Sequence, residues 1–247
     1  MVIPTLDEAA QIGSCLAHLV WADQVLVADA GSGDATVALA RAAGATVIER
    51  AGPTIAAQRN AAIAAARNEW VLALDADERV SDALRAELAA TLQQPRHHAY
   101  AIRRRNFCFG QEYTRGHWGR DWVTRLFTRD RRFTDQRVHE HLEAVPDTGR
   151  LRASLEHYPY RDFEHYLEKL SRYARWGAED LRRRGRHATL LDLSVRPLWR
   201  FVRAYFVEGC VLDGRLGFVA AALEAYPAFL KYAYLWEMEG GAAGGED

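Results

Sequence analysis

The amino-acid sequence predicts an α/β fold with a mainly parallel central sheet, helices on both faces of that sheet and a helical C-terminal extension. Short apolar runs alternate with segments of helical spacing in the first third of the chain, and the connections between them are short. Polar residues follow several of the apolar runs. Sheets of this kind bind ligands at the carboxyl ends of their strands, so we expect a functional site at that rim.

The predicted strands and helices of the first third follow from these runs. The strands cover residues 2–3, 25–28, 45–48 and 70–74. We expect the first strand to end at Pro4, because proline lacks the N–H that a strand uses. The helices cover residues 8–19, 35–43 and 55–67, and Gly44 ends the second of them.

The rest of the chain has a different pattern. Residues 99–133 alternate, are rich in arginine and aromatic residues, and predict strands at 100–106 and 123–128 with a mobile cover between them. From Phe163 apolar residues recur at helical spacing as far as an Arg-rich end before Gly185. The helical residues that follow are expected to break at Pro197, Gly209, Gly214, Gly217 and Pro227.

These patterns suggest three parts. Residues 1–160 form an α/β domain, within which 99–160 is a segment of different pattern. Residues 161–239 form a helical extension that associates with a membrane, and residues 240–247 form a flexible tail.

Composition excludes several classes of protein. The net charge is −1, and an acidic rim would repel a polyanion, so we expect no nucleic-acid partner. Three scattered cysteines are too few for a disulfide framework or a zinc site, which fits a reducing cytoplasm. We expect neither a signal peptide nor a transmembrane segment.

The acidic sequence Asp75-Ala76-Asp77-Glu78 directly follows the fourth predicted strand. In extended backbone the carboxylates of Asp75 and Asp77 point the same way and repel each other unless a positive charge lies between them. Mg²⁺ or Mn²⁺ would provide that charge, with phosphate oxygens completing its coordination. The alternative is a solvated loop that ends the strand and caps the next helix.

Three more polar residues follow predicted strands and are expected on the same rim: Thr5, Asp29 and Asp34. Asp29 accepts a hydrogen bond from a base or ribose, or is a turn residue before two glycines. Arg59, on the third helix, meets a diphosphate or pairs with a neighbouring carboxylate.

Together these motifs resemble the family 2 glycosyltransferases of the GT-A fold, which is Rossmann-like. The second half resembles a narrower group, the bacterial lipopolysaccharide core β-1,4-glucosyltransferases. The first resemblance is carried by Pro4-Thr5 with Glu8, the 29–36 segment, Gln58-Arg59-Asn60 and the 74–78 segment. The second is carried by the segments 105–110, 122–127, 138–140, 155–160, 212–217 and 229–232.

The resemblance implies that residues 1–160 are a nucleotide-sugar-binding and catalytic domain, with 99–160 as its acceptor-side segment. It also implies roles for individual residues. Pro4, Thr5, Glu8 and Asp29 would hold the uridine of a UDP-sugar, Asp75 the ribose, and Asp77 an Mg²⁺ or Mn²⁺ ion. A late histidine, His157 or His139, would also touch the metal. Family 2 enzymes invert the anomeric centre, which requires a carboxylate base, and we favour Glu140 over Asp121.

The resemblance also implies a substrate and a location. We expect transfer of a hexose, glucose, from a UDP-sugar to a lipid-linked saccharide such as lipopolysaccharide core. Trp199, Arg200, Arg203 and Tyr205 beside apolar faces indicate interfacial helices on an anionic membrane, so we expect a cytoplasmic protein peripheral to the inner face of the cytoplasmic membrane. Alternatively, these helices pack as extra core or against a second subunit.

Other functions fit some of the same residues. The acceptor is alternatively a polyprenyl phosphate or a capsule or exopolysaccharide precursor. A non-catalytic sugar-nucleotide-binding scaffold would keep the rim without the chemistry. A phosphohydrolase of the haloacid dehalogenase type also places Asp-x-Asp after a strand, but Glu78-Arg79 follows here instead of the expected threonine. Arginines 103–105, 129, 131 and 132 meet the phosphates of an anionic glycolipid or are solvated edge charges.

Overall fold

A computed structural model describes residues 1–116, 118–134 and 141–243. The chain forms two compact units. We call Met1–Arg105 with Asp121–Tyr158 the N-terminal unit, and Asn106–Arg120 with Pro159–Asp247 the C-terminal unit. The proposed functional division at residues 160 and 239 stays a prediction.

The six strands predicted from the sequence are present, and the described residues form three more. In chain order, the strands are β1 (Val2–Thr5), β2 (Leu26–Asp29), β3 (Thr46–Glu49), β4 (Trp70–Leu72), β5 (Glu78–Val80), β6 (Ala99–Cys108), β7 (Gln111–Tyr113), β8 (Trp122–Thr128) and β9 (Thr148–Tyr160). The strands predicted at 100–106 and 123–128 are therefore confirmed as β6 and β8, whereas β5, β7 and β9 were not predicted.

The sheet is parallel in its first part and antiparallel in its second. Strands β1, β2 and β3 pair in parallel, with Val2 opposite Leu26 and Thr5 opposite Asp29. A parallel bridge between Val2 and Ala73 joins β1 to the end of β4. The order then continues β4-β8-β6-β9-β5, with antiparallel pairing of β4 with β8, of β6 with β8 and of β5 with β9.

Helices cover both faces of this sheet, as predicted. They are α1 (Ala9–Ala17), α2 (Thr36–Ala42), α3 (Ile55–Ala65) and α4 (Asp82–Gln93). Alternate strand residues enter different cores because side chains alternate across a strand. Ile3 packs in the cluster that contains Ile12 of α1, whereas Val2 packs in the cluster that contains Ile63 of α3.

Pro4 does not end the first strand, contrary to the prediction. It lies inside β1 opposite Ala28 and is buried. The N–H groups of Leu26 and of Ala30, the residue after β2, donate to the carbonyls of Met1 and Thr5. The carbonyl of Val2 instead accepts a hydrogen bond from the N–H of Leu74. Pro4 lies two residues after Val2, so its backbone polar groups face the same side of β1 as those of Val2, away from β2. The missing N–H of Pro4 therefore removes no hydrogen bond between β1 and β2.

The C-terminal unit is mainly helical. Its helices are α5 (Phe163–Arg183), α6 (Leu190–Val202) and α7 (Gly214–Ala243), with short helical turns at Arg203–Val207 and Cys210–Asp213. Asp162 caps α5 by accepting a hydrogen bond from the His165 N–H, and Thr189 caps α6 with Asp192 in a capping box.

Three of the five expected helix breaks do not occur. α6 continues through Pro197, and α7 continues through Gly217 and Pro227, since packing of the flanking turns offsets the local cost of a proline. Gly209 and Gly214 do interrupt the helices, and both have positive φ. The tail expected from residue 240 is also wrong in part, because α7 runs to Ala243. None of the described helices is long and apolar enough to cross a membrane.

Candidate functional site

The acidic motif lies in the loop that joins β4 to β5 in the N-terminal unit. Ala73 and Leu74 are buried, and the N–H of Leu74 donates to the carbonyl of Val2 at 3.0 Å, so the chain stays in the sheet up to Asp75. Glu78 then begins β5 and pairs with His157 of β9. The apolar run therefore fixes one end of the motif and an antiparallel strand fixes the other.

Two buried arginines hold the Asp75 carboxylate. Arg59 pairs with one of its oxygens and Arg125 with the other. The Arg59 and Arg125 side chains are only 4% and 5% exposed, whereas that of Asp75 is 29% exposed. Burial alone would raise the pKa of Asp75, but Arg125 and Arg59 hold it far below its ordinary value. Asp75 is therefore ionised at any physiological pH.

Glu78 belongs to the same network and is completely buried. Its Oε1 lies 2.7 Å from Nη2 of Arg125 and 3.4 Å from Nη1 of Arg104. Its Oε2 accepts a hydrogen bond from the backbone N–H of Asp75 at 3.0 Å. Because a buried carboxylate without partners would be very costly, these contacts explain how an acidic residue can begin a core strand.

Arg104 extends the network to Asp121. Its Nε and Nη2 lie 2.8 and 2.7 Å from Oδ2 of Asp121. Three arginines thus face three carboxylates in the N-terminal unit: Arg59, Arg104 and Arg125 with Asp75, Glu78 and Asp121. The network is neutral as a whole.

This network changes the interpretation of Asp75, Arg59 and Arg104. Asp75 does not need a divalent ion between it and Asp77, because arginines already offset its charge. Of the two interpretations of Arg59, the structure supports the pair with a neighbouring carboxylate, because Arg59 is buried against Asp75 and lies 4.7 Å from the ring centroid of Phe133. Likewise, Arg104 is paired within the protein and is not a solvated edge charge.

Asp77 faces a different partner. Its Oδ1 lies 3.5 Å from Nε2 of His157, and its backbone carbonyl accepts a hydrogen bond from the N–H of Tyr158 at 2.8 Å. The His157 and Asp77 side chains are 12% and 15% exposed, and Oδ1 of Asp77 itself is buried. The predicted metal residues Asp77 and His157 are thus brought together by the pairing of β5 with β9.

The chemistry of this pair fits a divalent ion completed by a ligand. Two neighbouring ligands of an octahedral ion at about 2.1 Å lie about 3 Å apart, close to the separation of these donor atoms. No cluster of three or more His, Cys, Asp and Glu side chains suited to a metal occurs in the described ranges. Mg²⁺ and Mn²⁺ sites commonly use one or two carboxylates with phosphate oxygens and water, so two protein donors are sufficient.

Asp29 builds a turn in this structure. Its Oδ1 accepts hydrogen bonds from the N–H groups of Gly31 and Ser32, and its Oδ2 from the hydroxyls of Thr5 and Ser32. Burial would raise the pKa of Asp29, but the hydrogen bonds from Ser32, Gly31 and Thr5 hold it below its ordinary value. Of the two interpretations of Asp29, the geometry supports the turn residue, since four donors occupy a carboxylate that is 1% exposed.

Hydrogen bonds join the loop after β1 to the loop after β2. The carboxylate of Asp34 accepts hydrogen bonds from the N–H groups of Ala9 and Thr36, and the N–H of Glu8 donates to the Thr36 hydroxyl at 2.8 Å. Asp7, at φ 56°, accepts a hydrogen bond from the N–H of Gly33. Hydrogen bonds therefore connect the segment that carries Thr5 and Glu8 to the segment that carries Asp34 and Thr36.

The Gln58-Arg59-Asn60 motif positions a neighbouring loop as well as Arg59. The side chain of Asn60 donates to the carbonyl of Phe133 and accepts from its N–H, both at 2.9 Å. These bonds hold the Phe133 ring beside the Arg59 guanidinium.

Of the two predicted bases, Glu140 and Asp121, the structure describes only Asp121. Glu140 and the alternative metal ligand His139 lie outside the described residues. Asp121 is described, and its Oδ2 receives two N–H groups of Arg104. Sequence reasoning missed the roles of Glu78, Arg104 and Arg125, although a third acid at position 78 signalled that Asp75 and Asp77 were not the whole motif.

Comparisons with known proteins bear on this site. A family model described as Glycosyl transferase family 2 matches residues 1–158, more than half of the chain. A lipopolysaccharide core biosynthesis glycosyltransferase, LpsC, of Rhizobium meliloti (strain 1021) is 28% identical over 241 residues, which cover 94% of this chain and 89% of that protein. An uncharacterized glycosyltransferase of Rickettsia prowazekii (strain Madrid E) is 28% identical over 252 residues, 96% of this chain and 86% of that protein.

Two solved structures are also similar. Residues 1–349 of TarS from S. aureus, in complex with UDP-GlcNAc, match with a TM-score of 0.47 and 16% identity over 98% of this chain and 91% of that chain. Glucosyl-3-phosphoglycerate synthase from Mycobacterium tuberculosis, in complex with Mn²⁺, UDP and glucosyl-3-phosphoglycerate, matches with a TM-score of 0.35 and 27% identity. That match spans 44% of this chain and 43% of the synthase, less than half of its length.

Proposed function

The chain belongs to the family 2 glycosyltransferases, and from this premise we propose that it transfers a hexose, glucose, from a UDP-sugar to a lipid-linked saccharide. Membership of an enzyme family favours a catalyst over a non-catalytic scaffold and sets aside the phosphohydrolase. The likeness to a lipopolysaccharide core biosynthesis glycosyltransferase supports lipopolysaccharide core as the acceptor.

One observation carries the proposed chemistry: Asp77 and His157 face each other beside a carboxylate that arginines have already neutralised. An Mg²⁺ or Mn²⁺ ion held by Asp77 and His157 would offset the charge of the departing diphosphate. With Asp75 kept anionic by Arg59 and Arg125, its partly exposed carboxylate is able to accept a hydrogen bond from the ribose.

The nucleotide would lie along the rim formed by the first two loops. Asp29 keeps that rim in shape through its bonds to Thr5 and Ser32, so its contribution to uridine binding is to position Thr5 and the turn. Pro4 precedes Thr5 in β1, and Glu8, the N-cap residue of α1, donates its N–H to the Thr36 hydroxyl.

The inverting reaction needs a base on the acceptor side of the sugar. We retain Glu140 as that base. Asp121 is the less suitable candidate, because its Oδ2 already accepts two hydrogen bonds from Arg104. Asp121→Asn should weaken the Arg104 pair and lower stability, whereas Glu140→Gln should remove turnover and leave nucleotide binding intact.

A lipid-linked acceptor implies contact with a membrane surface. The C-terminal unit exposes large apolar side chains such as Leu191, Leu198 and Phe206, which suits a peripheral position on the inner face of the cytoplasmic membrane. A polyprenyl phosphate or a capsule or exopolysaccharide precursor would be bound at the same surface.

UDP release tests the proposal directly. The protein is incubated with UDP-glucose, Mn²⁺ and either lipopolysaccharide core acceptor or polyprenyl phosphate, and other UDP-hexoses serve as competitors. We expect UDP release that needs both the acceptor and the divalent ion. Asp77→Asn should abolish it, whereas Asp82→Asn, an exposed acid at the start of α4, should not. UDP release at the full rate after chelation of divalent ions would contradict the metal role.

A further inference from the structure

The C-terminal unit contains a cationic groove that the proposed transfer reaction does not use. Helices α5, α6 and α7 line a cavity of about 390 Å³. Three cations and three aromatic side chains face it: Arg196, Arg200, Lys231, Tyr173, Trp199 and Tyr232. Lys231 is one of only two lysines in the chain.

The positive charge of this groove exceeds the negative charge beside it. Arg196 pairs with Asp192, but neither Arg200 nor Lys231 has an ion pair with any described residue. The Nζ of Lys231 lies 5.1 Å from the ring centroid of Tyr232, and the Arg196 guanidinium lies 5.4 Å from the same ring.

The surroundings of Lys231 in the groove destabilise its positive charge. Burial, followed by the nearby guanidiniums of Arg196 and Arg200, lowers the pKa of Lys231 from its ordinary value, and Asp192 opposes this only in part. An anion in the groove would relieve this repulsion, so the groove favours a negatively charged ligand.

An exposed apolar stripe adjoins the groove on α6. Leu191, Val195 and Leu198 recur at i, i+4 and i+7 and are 66%, 53% and 63% exposed. Trp199 is 58% exposed and lines the groove as well, so it connects the stripe to the cations. A helix with an apolar stripe, a tryptophan at its edge and arginines beside it is typical of one that lies in a membrane interface.

We propose that this groove binds the phosphate of an anionic phospholipid, while the apolar stripe of α6 contacts the acyl region of the same bilayer. A soluble phosphate would match the cations but would leave the apolar stripe without a partner. This inference rests on the proposed membrane position of the protein and deepens it by naming the site and the headgroup chemistry.

Vesicle co-sedimentation of the full chain tests the site. Vesicles of phosphatidylcholine are compared with vesicles that also contain phosphatidylglycerol, at one ionic strength. The variant is Arg200→Gln with Lys231→Gln, and the matched control is Arg184→Gln with Arg186→Gln, which removes two exposed cations at the end of α5. Thermal unfolding of both variants serves as the control for folding.

We expect wild type and control to bind the anionic vesicles, and the groove variant to bind them about 30-fold more weakly, since each surface cation contributes about fivefold. Equal losses in the two variants would mean that overall charge, not the groove, binds the membrane. Equal binding to both kinds of vesicle would exclude the phosphate. Glycerol 3-phosphate provides a further comparison. If it raises the melting temperature of wild type but not of the groove variant, and the two proteins bind vesicles equally, the ligand is a soluble phosphate and the proposal is wrong.

The outcome is separable from that of the transfer reaction. UDP release with a soluble, deacylated acceptor and no vesicles should be the same in wild type and the groove variant. Failure of UDP release in all proteins, with the expected vesicle pattern intact, would reject the proposed transfer and leave the groove assignment standing.

Discussion

Replacement of Arg125 by methionine should destabilise the N-terminal unit by about 3–5 kcal/mol, the usual cost of removing one partner from a buried ion pair. Arg125 is 5% exposed and bridges Asp75 and the completely buried Glu78. Without it, Glu78 keeps only Arg104, at 3.4 Å, and the N–H of Asp75. Asp75 keeps Arg59.

A double-mutant cycle with Glu78→Gln separates this electrostatic cost from lost packing. If the two charges compensate each other, the double variant should cost about 2 kcal/mol less than the sum of the single variants, within the range for residues of one network. Urea denaturation monitored by circular dichroism gives each free energy of unfolding. The control Arg152→Met removes an exposed strand arginine and should change stability by no more than about 0.5 kcal/mol.

Two outcomes of this cycle would contradict the role given to Arg125. If Arg125→Met costs no more than Arg152→Met, or if the single and double variants are strictly additive, Arg125 does not neutralise Glu78. The explanation of how the acidic loop stays buried without a metal would then be wrong.

Further predictions concern glycines, an acid and a thiol. Gly217→Ala should destabilise the C-terminal unit by more than about 2 kcal/mol in the same urea assay, because its Cβ would lie 1.6 Å from the carbonyl oxygen of Cys210. Gly13→Ala in α1, where no atom lies within 4 Å of the new Cβ, should instead stabilise by about 0.5–1 kcal/mol. The lowered pKa of Asp29 means that its carboxylate stabilises the fold above its unfolded pKa and loses this effect as the pH falls through its folded pKa, so Asp29→Asn should cost stability at about pH 7 and much less at about pH 3. Burial raises the pKa of the Cys15 thiol to about 12, so iodoacetamide at about pH 8 should modify it only after unfolding, and rapid native-state labelling would contradict its burial.

The strands and helices around the sheet were predictable because local and tertiary preferences agree there. The apolar runs at β2 and β4 are buried, and Gly44 has positive φ where α2 ends. Prediction failed where tertiary structure overrides local preference. Pro4 lacks an N–H that its place in β1 does not require, and Pro227 sits in a helix that neighbouring helices hold in place.

The position of the acidic loop was predictable, but its electrostatics were not. Periodicity placed Asp75 and Asp77 at the end of a strand, and the family resemblance suggested His157 as their neighbour. The pairing of Asp75 with Arg125 was not predictable, because Arg125 lies 50 residues away in sequence. Nothing in the local pattern distinguishes Arg125 from the many exposed arginines of this chain. From the sequence we therefore expected a metal ion to offset the charge of Asp75, whereas Arg59 and Arg125 offset it.

The central claim is that Asp77, with His157, holds the divalent ion while arginines neutralise Asp75. Titration of Mn²⁺ by electron paramagnetic resonance in the presence of UDP tests it most directly, with Asp82→Asn as control. Wild type and control should bind one Mn²⁺ with equal affinity, and Asp77→Asn should bind it at least about 10-fold more weakly with an unchanged melting temperature. Equal Mn²⁺ affinity in wild type and Asp77→Asn would contradict the claim.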